Sequence, residues 1–180
     1  MTSDRTILIT GVTGNQGGAV AQALRGTGFR LRGLTRAPDG ERATALARLG
    51  VDIVKGDLED EATLRRALTG AWGVFGVQSS LEAGVEREEM QGKRLATLAR
   101  EAGVEHYVYT SVGSAHERTG IPHFDNKWRI EETVRGLRFP SHLILRPVFF
   151  MENLLAPFSL QGSTLASALG PGTKLSLIHI

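Results

Sequence analysis

The chain of 180 residues contains no cysteine, which excludes a disulfide framework and thiolate chemistry. Its histidines at 106, 116, 123 and 142 lack the spacing of zinc ligands, so the sequence predicts no metal site. There is also no excess of charge of one sign, because 21 Lys and Arg residues against 19 Asp and Glu residues leave a net charge of +2. General nucleic-acid binding therefore gains no support from composition.

Long hydrophobic runs are missing as well. The apolar stretch 143–160 is interrupted by Arg146, Glu152 and Asn153, whereas a bilayer core requires about 20 mostly apolar residues. The first residues, 1–5, do not form the basic segment that precedes an apolar segment in a secretory signal. We therefore expect a cytoplasmic protein that does not span a membrane.

Short apolar runs alternate along the chain with segments of helical periodicity, which is typical of βαβ units. The predicted strands are 7–9, 31–35, 51–54, 74–77, 107–110 and 143–145. The predicted helices are 16–25, 41–49, 60–68, 86–102 and 126–135. Right-handed crossovers between such units predict an α/β fold with a doubly wound parallel sheet, the Rossmann architecture.

Glycine is abundant, with 22 residues, and two groups of these glycines are informative. One group follows the predicted helices, where a residue with positive φ commonly closes the last turn. These helix-ending glycines are Gly26, Gly50, Gly70, Gly103 and Gly136.

The second group forms a loop between the first predicted strand and the first predicted helix, with the pattern Gly-x-x-Gly-x-x-Gly. In that context Gly11 permits a tight turn, Gly14 allows close approach of a pyrophosphate, and Gly17 allows close packing of the helix. The helix N-terminus supplies the anion site without a lysine, and the absence of a following Gly-Lys-Ser/Thr excludes Walker-type chemistry. We predict dinucleotide binding; the alternative is a chance cluster of glycines.

The second predicted strand ends in Thr35-Arg36, where NAD-binding folds usually carry an acidic residue for the ribose hydroxyls. A guanidinium can instead pair with a 2′-phosphate, so Arg36 favours NADP(H), although it could also be a solvated arginine. Asp57 and Leu58, after the third strand, are candidates to flank the adenine. Alternatively, Asp57 caps the helix that follows.

Four segments resemble the NmrA-like group of atypical short-chain dehydrogenases/reductases, and most closely its NADPH-sensing, HSCARG-like branch. The segments are 9–18, 34–36, His123-Phe124-Asp125-Asn126-Lys127, and Arg146-Pro147-Val148-Phe149-Phe150-Met151-Glu152-Asn153. The resemblance implies a Rossmann domain over 1–155 and the start of a smaller substrate or partner domain over 156–174.

The same resemblance implies a set of residues that bind the cofactor NADP(H). The set comprises Gly11, Thr13, Gly14, Asn15, Gln16, Gly17, Arg36, Asp57, Leu58, Gln78, Ser79, Ser80, Lys127, Phe150, Met151, Glu152 and Asn153. One departure is that the second basic residue of related sensors falls near Asp39-Gly40, which implies a weaker grip on the phosphate.

The candidate catalytic residues are His123 and Lys127. Active dehydrogenases of this superfamily carry Tyr-x-x-x-Lys, in which lysine binds the ribose and tyrosine transfers a proton. Here histidine replaces tyrosine, and residues four apart on a helix can meet. His123 is either a proton donor of different geometry or a solvent-side histidine, and we expect ordinary catalysis to be lost.

Other polar residues are given simpler interpretations. Ser111 and Ser114 follow the fifth strand, where a catalytic serine is expected, but serines are also common turn residues. Glu86, Glu88 and Glu89 predict a solvated helix start that complements the helix dipole.

Two functions therefore stay open. The first is a redox-responsive NADP(H) sensor or regulator, with a protein partner bound through the domain that follows. The second is an NADPH-dependent oxidoreductase that resembles quinone reductases. The oligomeric state is not indicated. The last residues, 175–180, resemble the translation of a transposase adapter used in sequencing libraries and predict a non-native tail; a genuine strand is the alternative.

Overall fold

The computed structural model describes residues 4–155, 160–161, 164–165 and 177–178. Its centre is a six-stranded sheet in the order β3-β2-β1-β4-β5-β6. All neighbouring strands of this sheet run parallel. The strands are β1 (Thr6–Ile9), β2 (Arg30–Thr35), β3 (Asp52–Lys55), β4 (Ala71–Gly76), β5 (His106–Thr110) and β6 (Ser141–Leu145). The predicted doubly wound parallel sheet is confirmed.

Helices connect the strands. They are α1 (Asn15–Ala23), α2 (Glu41–Arg48), α3 (Glu61–Leu68), α4 (Ser80–Ala83), α5 (Val85–Glu101) and α6 (Pro122–Gly136). Short 3-10 turns follow at Ala115–Glu117 and Met151–Leu155. The short α4 was not predicted. Helix α6 begins at Pro122 rather than at 126, because proline is well suited to the first turn of a helix, where its missing N–H is not needed.

The sheet is covered on both faces because successive side chains of a strand point to opposite sides. Leu8 of β1 belongs to the core beneath α3, α5 and α6, together with Leu64, Leu95 and Ile130. The neighbouring Ile7 and Ile9 belong to the opposite core, which packs against α1 and α2. The polar loops at the carboxyl ends of the strands are thereby held on a rigid platform.

Four of the five helix-ending glycines adopt positive φ as predicted, but Gly136 does not. Helix α6 continues through Gly136, and the left-handed residue beyond its end is Arg138, with φ 49°. The prediction for Gly136 is wrong because a non-glycine residue takes the turn two positions later.

Short strands lie beyond β6. β7 (Phe149–Phe150) pairs in parallel with β10 (Leu177–Ile178), and β8 (Leu160–Gln161) pairs with β9 (Thr164–Leu165). Apart from these pairs, the predicted second domain over 156–174 and the predicted tail over 175–180 lie outside the described residues. Both, like the boundary at 155, stay predictions. Among the described helices, none combines the length and apolar character needed to cross a membrane.

Candidate functional site

The order of the central sheet reverses between β1 and β4, and ligands of such sheets bind at the carboxyl ends of the strands on either side of the reversal. A cavity of about 660 Å³ lies there. It is lined by most of the predicted binding residues: Gly11, Thr13, Gly14, Asn15, Gln16, Gly17, Arg36, Asp57, Leu58, Gln78, Ser79 and Phe150. Most of the residues predicted to bind the cofactor therefore meet at one cavity, and their role in binding stays a prediction.

Other predicted residues lie elsewhere. Glu152 lines a neighbouring cavity of about 580 Å³ beside α1 and α2. Lys127 reaches the larger cavity only through Gln78, whose main-chain oxygen accepts a hydrogen bond from its Nζ at 3.4 Å. The remaining members of the predicted set, Ser80, Met151 and Asn153, belong to α4 and to the 3-10 turn that begins at Met151.

The glycine loop is a tight backbone turn. Gly11 has φ +57°, and the amide of Gly14 donates to its carbonyl oxygen at 2.9 Å. A Cβ on Gly17 would lie 2.3 Å from that same oxygen, so this position has no room for a side chain. A positive φ at Gly11 and the absence of a side chain at Gly17 are the features of a loop that brings the backbone close to a phosphate.

The N-terminus of α1 opens onto this turn. Its N-cap is Gly14, which has no side chain to cap the first amides, and its first turn contains no acidic residue. The unpaired N–H groups at a helix start and the positive end of the helix dipole favour an anion. The loop and helix together therefore suit a pyrophosphate.

Two guanidinium groups lie at the side of the cavity formed after β2. Arg36 Nη2 donates to Glu82 Oε2 at 2.9 Å, which joins the end of β2 to α4. Arg42 Nη1 donates to the carbonyl oxygen of Thr13 at 3.0 Å. Arg42 also lines the cavity. The sequence did not point to it, because the resemblance places the second basic residue near Asp39.

Asp57 lies in the loop after β3 and does not cap the next helix. The N-cap of α3 is Asp60, whose carboxylate accepts from the amides of Ala62 and Thr63. Asp57 Oδ1 instead accepts from the amide of Glu59 at 2.9 Å, which closes a local turn beside the cavity. The capping alternative for Asp57 is therefore wrong.

Lys127 is held by a buried acid that the sequence analysis assigned to solvent. Its Nζ lies 2.6 Å from Glu88 Oε1, and the side chains are 12% and 0% exposed. The interpretation of Glu88 as part of a solvated helix start is wrong, because α5 packs this face against α6. Glu89, partly buried, forms ion pairs with Lys93 and Arg129.

The side-chain amide of Gln78 is buried, and neither its oxygen nor its nitrogen has a hydrogen-bond partner among the described residues. Buried polar groups are normally paired, so an unpaired amide beside a cavity is consistent with a partner supplied by a ligand. This is a second sign, independent of the glycine loop, that the cavity is a binding site.

His123 lies in the first turn of α6 and is exposed. Its ring meets the ring of Phe124 edge-on, at a centroid distance of 4.7 Å. Lys127, one turn later, points inward to Glu88. This is the placement that the solvent-side interpretation of His123 predicts, and the structure does not bring the two candidate catalytic residues together over the cavity.

Ser111 is directed to a structural ion pair. Its hydroxyl donates to Glu131 Oε1 at 2.5 Å, and Arg146 donates to both oxygens of the same carboxylate, from Nε at 2.9 Å and from Nη2 at 2.7 Å. Arg135 Nη2 donates to Oε2 at 2.8 Å. This cluster ties β5, α6 and the end of β6 together just before the 147–153 segment.

Comparison with known proteins gives consistent matches. A profile of the NmrA-like family matches residues 3–171. The NmrA-like oxidoreductase FrzB of Cladobotryum sp is 34% identical over 161 residues, which cover 83% of this chain and 48% of that relative. The chain thus spans about half the length of the curated relatives it matches.

Solved structures give the same picture. One match is NmrA, described as a negative transcriptional regulator, in complex with NADP. It matches this chain with a TM-score of 0.72 and 27% sequence identity, and the match covers 83% of this chain and 47% of the NmrA chain. The NADPH-dependent quinone oxidoreductase of Escherichia coli, complexed with NADPH, has TM-score 0.71 and 28% identity, covering 84% and 52%.

Proposed function

The chain belongs to the NmrA-like family, and we propose that the cavity at the carboxyl end of its sheet binds NADP(H). The observation that carries this proposal is the Gly11–Gly17 turn beneath the uncapped start of α1, inside a cavity that is also lined by Arg36 and Arg42. The amides of α1 hold the pyrophosphate. The unpaired amide of Gln78 supports a ligand on the other side of the turn.

Specificity for NADP over NAD is proposed to come from Arg36 and Arg42. Both guanidinium groups line the cavity after β2, the side at which a Rossmann fold binds the adenosine ribose. A 2′-phosphate would share Arg36 with Glu82. Arg42 supplies a second cation, which the resemblance places near Asp39 instead.

We expect Arg36→Ala and Arg42→Ala each to weaken NADP binding about tenfold while changing NAD binding little, because each removes a charge-assisted contact to the extra phosphate. Titration calorimetry with both cofactors measures the ratio. Arg48→Ala, on the same helix as Arg42 but outside both cavities, is the matched control. An unchanged NADP-to-NAD ratio in both variants would refute the assignment.

The role of the bound cofactor is proposed to be regulatory: the protein responds to its redox state, and a partner binds through the domain that follows. The missing tyrosine supports this role, since His123 is exposed and Lys127 is neutralised by Glu88. NmrA itself, described as a negative transcriptional regulator, has been solved with NAD and with NADP. The HSCARG-like branch, the partner and a cytoplasmic location stay predictions.

A reductase acting on quinones or similar acceptors is the second candidate. The curated relatives are named oxidoreductases, and one structural neighbour is a quinone oxidoreductase with NADPH. When bound, NADPH supplies the hydride. The α1 amides would hold the cofactor, Lys127 would act through Gln78, and the proton that accompanies the hydride would come from solvent.

Steady-state oxidation of NADPH with a panel of quinones separates the two roles. The regulatory role predicts cofactor binding by calorimetry without sustained turnover. His123→Ala should leave the affinity and the NADPH oxidation rate unchanged, because His123 is exposed to solvent. Sustained turnover that is lost in Lys127→Ala would overturn the regulatory role in favour of the reductase.

A further inference from the structure

Glu88 is a buried charge that the binding proposal does not use. It lies on α5, is 0% exposed, and is not among the residues that line either cavity. One carboxylate oxygen lies 2.6 Å from Lys127 Nζ, and the other accepts from Asn126 Nδ2 at 2.8 Å. Asn126 also donates to the carbonyl oxygen of Val85, so the amide fixes the carboxylate against α5.

The ion pair places no net charge beside the cavity. A buried carboxylate is costly unless it is paired and hydrogen-bonded, and both conditions are met here. Burial, reinforced by the negative charge of Glu88, raises the pKa of the neighbouring Tyr109 phenol and keeps it neutral. Glu89 pairs with Lys93 and Arg129. Glu82 and Arg87 line the cavity but are paired with Arg36 and Glu59, so the charge balance next to Gln78 is set by Lys127 and Glu88.

Position within the sheet indicates which part of the cofactor meets this pair. Arg36 and Asp57 follow β2 and β3 on one side of the sheet reversal, whereas Gln78 follows β4 on the other. A dinucleotide spans the reversal, so its nicotinamide half lies on the Gln78 side. Lys127 donates to the main chain of Gln78, which links the ion pair to that half.

We propose that Glu88 determines the relative affinity of the site for oxidised and reduced cofactor by neutralising the charge of Lys127. The nicotinamide ring is positively charged in NADP⁺ and neutral in NADPH. A bare ammonium would disfavour the oxidised form, whereas pairing with Glu88 removes that penalty on NADP⁺. This inference rests on the proposed cofactor site and adds a specificity-determining residue to it.

A double-mutant cycle on Glu88 and Lys127 tests the proposal. The dissociation constants for NADP⁺ and NADPH are measured by calorimetry under anaerobic conditions. Glu88→Gln should weaken NADP⁺ relative to NADPH about tenfold, the order of magnitude of one unscreened charge at several ångströms. Lys127→Met should shift the ratio in the opposite direction, because Glu88 is then uncompensated. The double variant should return to the wild-type ratio although both affinities fall.

The ratio is informative because loss of stability alone does not change it. Glu89→Gln, the adjacent and partly buried acid on the same helix, should leave the ratio unchanged. If Glu88→Gln does not fold, Lys127→Met and the double variant still decide the result. A ratio that is the same in all variants overturns the proposal, whereas absence of binding by the wild-type protein overturns the cofactor site itself.

Discussion

Gly17→Ala is expected to abolish dinucleotide binding and to lower the free energy of unfolding by about 3 kcal/mol, the upper range for overpacking a rigid site. The added Cβ would lie 2.3 Å from the carbonyl oxygen of Gly11, 2.6 Å from its carbon and 2.8 Å from the oxygen of Thr10. All three atoms belong to the main chain and cannot rotate away. Either α1 moves off the sheet or the turn opens, and both displace the amides that would hold the pyrophosphate.

Urea denaturation and calorimetry with NADP⁺ measure the two effects of Gly17→Ala separately. Gly136→Ala is the matched control, since it lies in α6 with nothing within 4 Å of the added Cβ. The control should retain binding and gain about 0.5–1 kcal/mol of stability from the higher helix propensity of alanine. Wild-type affinity in Gly17→Ala would refute the assignment of the glycine loop.

The fold was predictable because each strand is a short apolar run flanked by helical periodicity, and β1 to β6 all lie where those runs are. Boundaries were harder to predict. Helix α6 starts at Pro122, ahead of the first strongly periodic residues, and runs through Gly136, because Arg138 rather than Gly136 takes the left-handed conformation. A single sequence does not reveal which residue near a helix end will turn the chain.

The residues of the candidate site also divide into those that the sequence predicts and those that it does not. The glycine loop was predictable because its chemistry is local: a strand, a turn and a helix start within a few residues. Arg42, Glu88 and Glu131 were missed because their roles depend on neighbours distant in sequence or on burial. Glu88 looks like an ordinary helix-start acid, and only the packing of α5 on α6 removes it from water.

Helix α6 connects the two buried acids. Lys127 pairs with Glu88 of α5, while Glu131, four residues further along, receives Arg146 from the end of β6. The first contact adjoins the cavity through Gln78, and the second fixes the chain just before Phe150, which lines that cavity. Disturbing Glu131 should therefore affect stability first and cofactor binding only through the position of the following segment.

Glu131→Gln is expected to lower the free energy of unfolding by about 2–3 kcal/mol, the cost of losing hydrogen bonds to a buried charged group when the arginines left behind are partly exposed. The carboxylate is 0% exposed and binds Arg146 through both oxygens, so the variant leaves this guanidinium without its counter-charge. Chemical denaturation measures the loss. Glu132→Gln, the exposed neighbour on the same helix, should change stability by less than about 0.5 kcal/mol.

The stability difference between wild type and Glu131→Gln should also depend on pH. Burial alone would raise the pKa of Glu131, but the hydrogen bonds from Arg146, Ser111 and Arg135 outweigh it and hold the pKa below its ordinary value of 4.5. A folded-state pKa lower than that of the unfolded chain means that the contribution is fully present above 4.5 and is lost as the pH falls through the lower value. Other carboxylates with lowered pKa, such as Glu59 and Glu89, are common to both proteins and cancel in the difference. Denaturation curves recorded from neutral pH downward should therefore converge in acid, and a difference that stays constant would show that Glu131 is not held as a buried carboxylate.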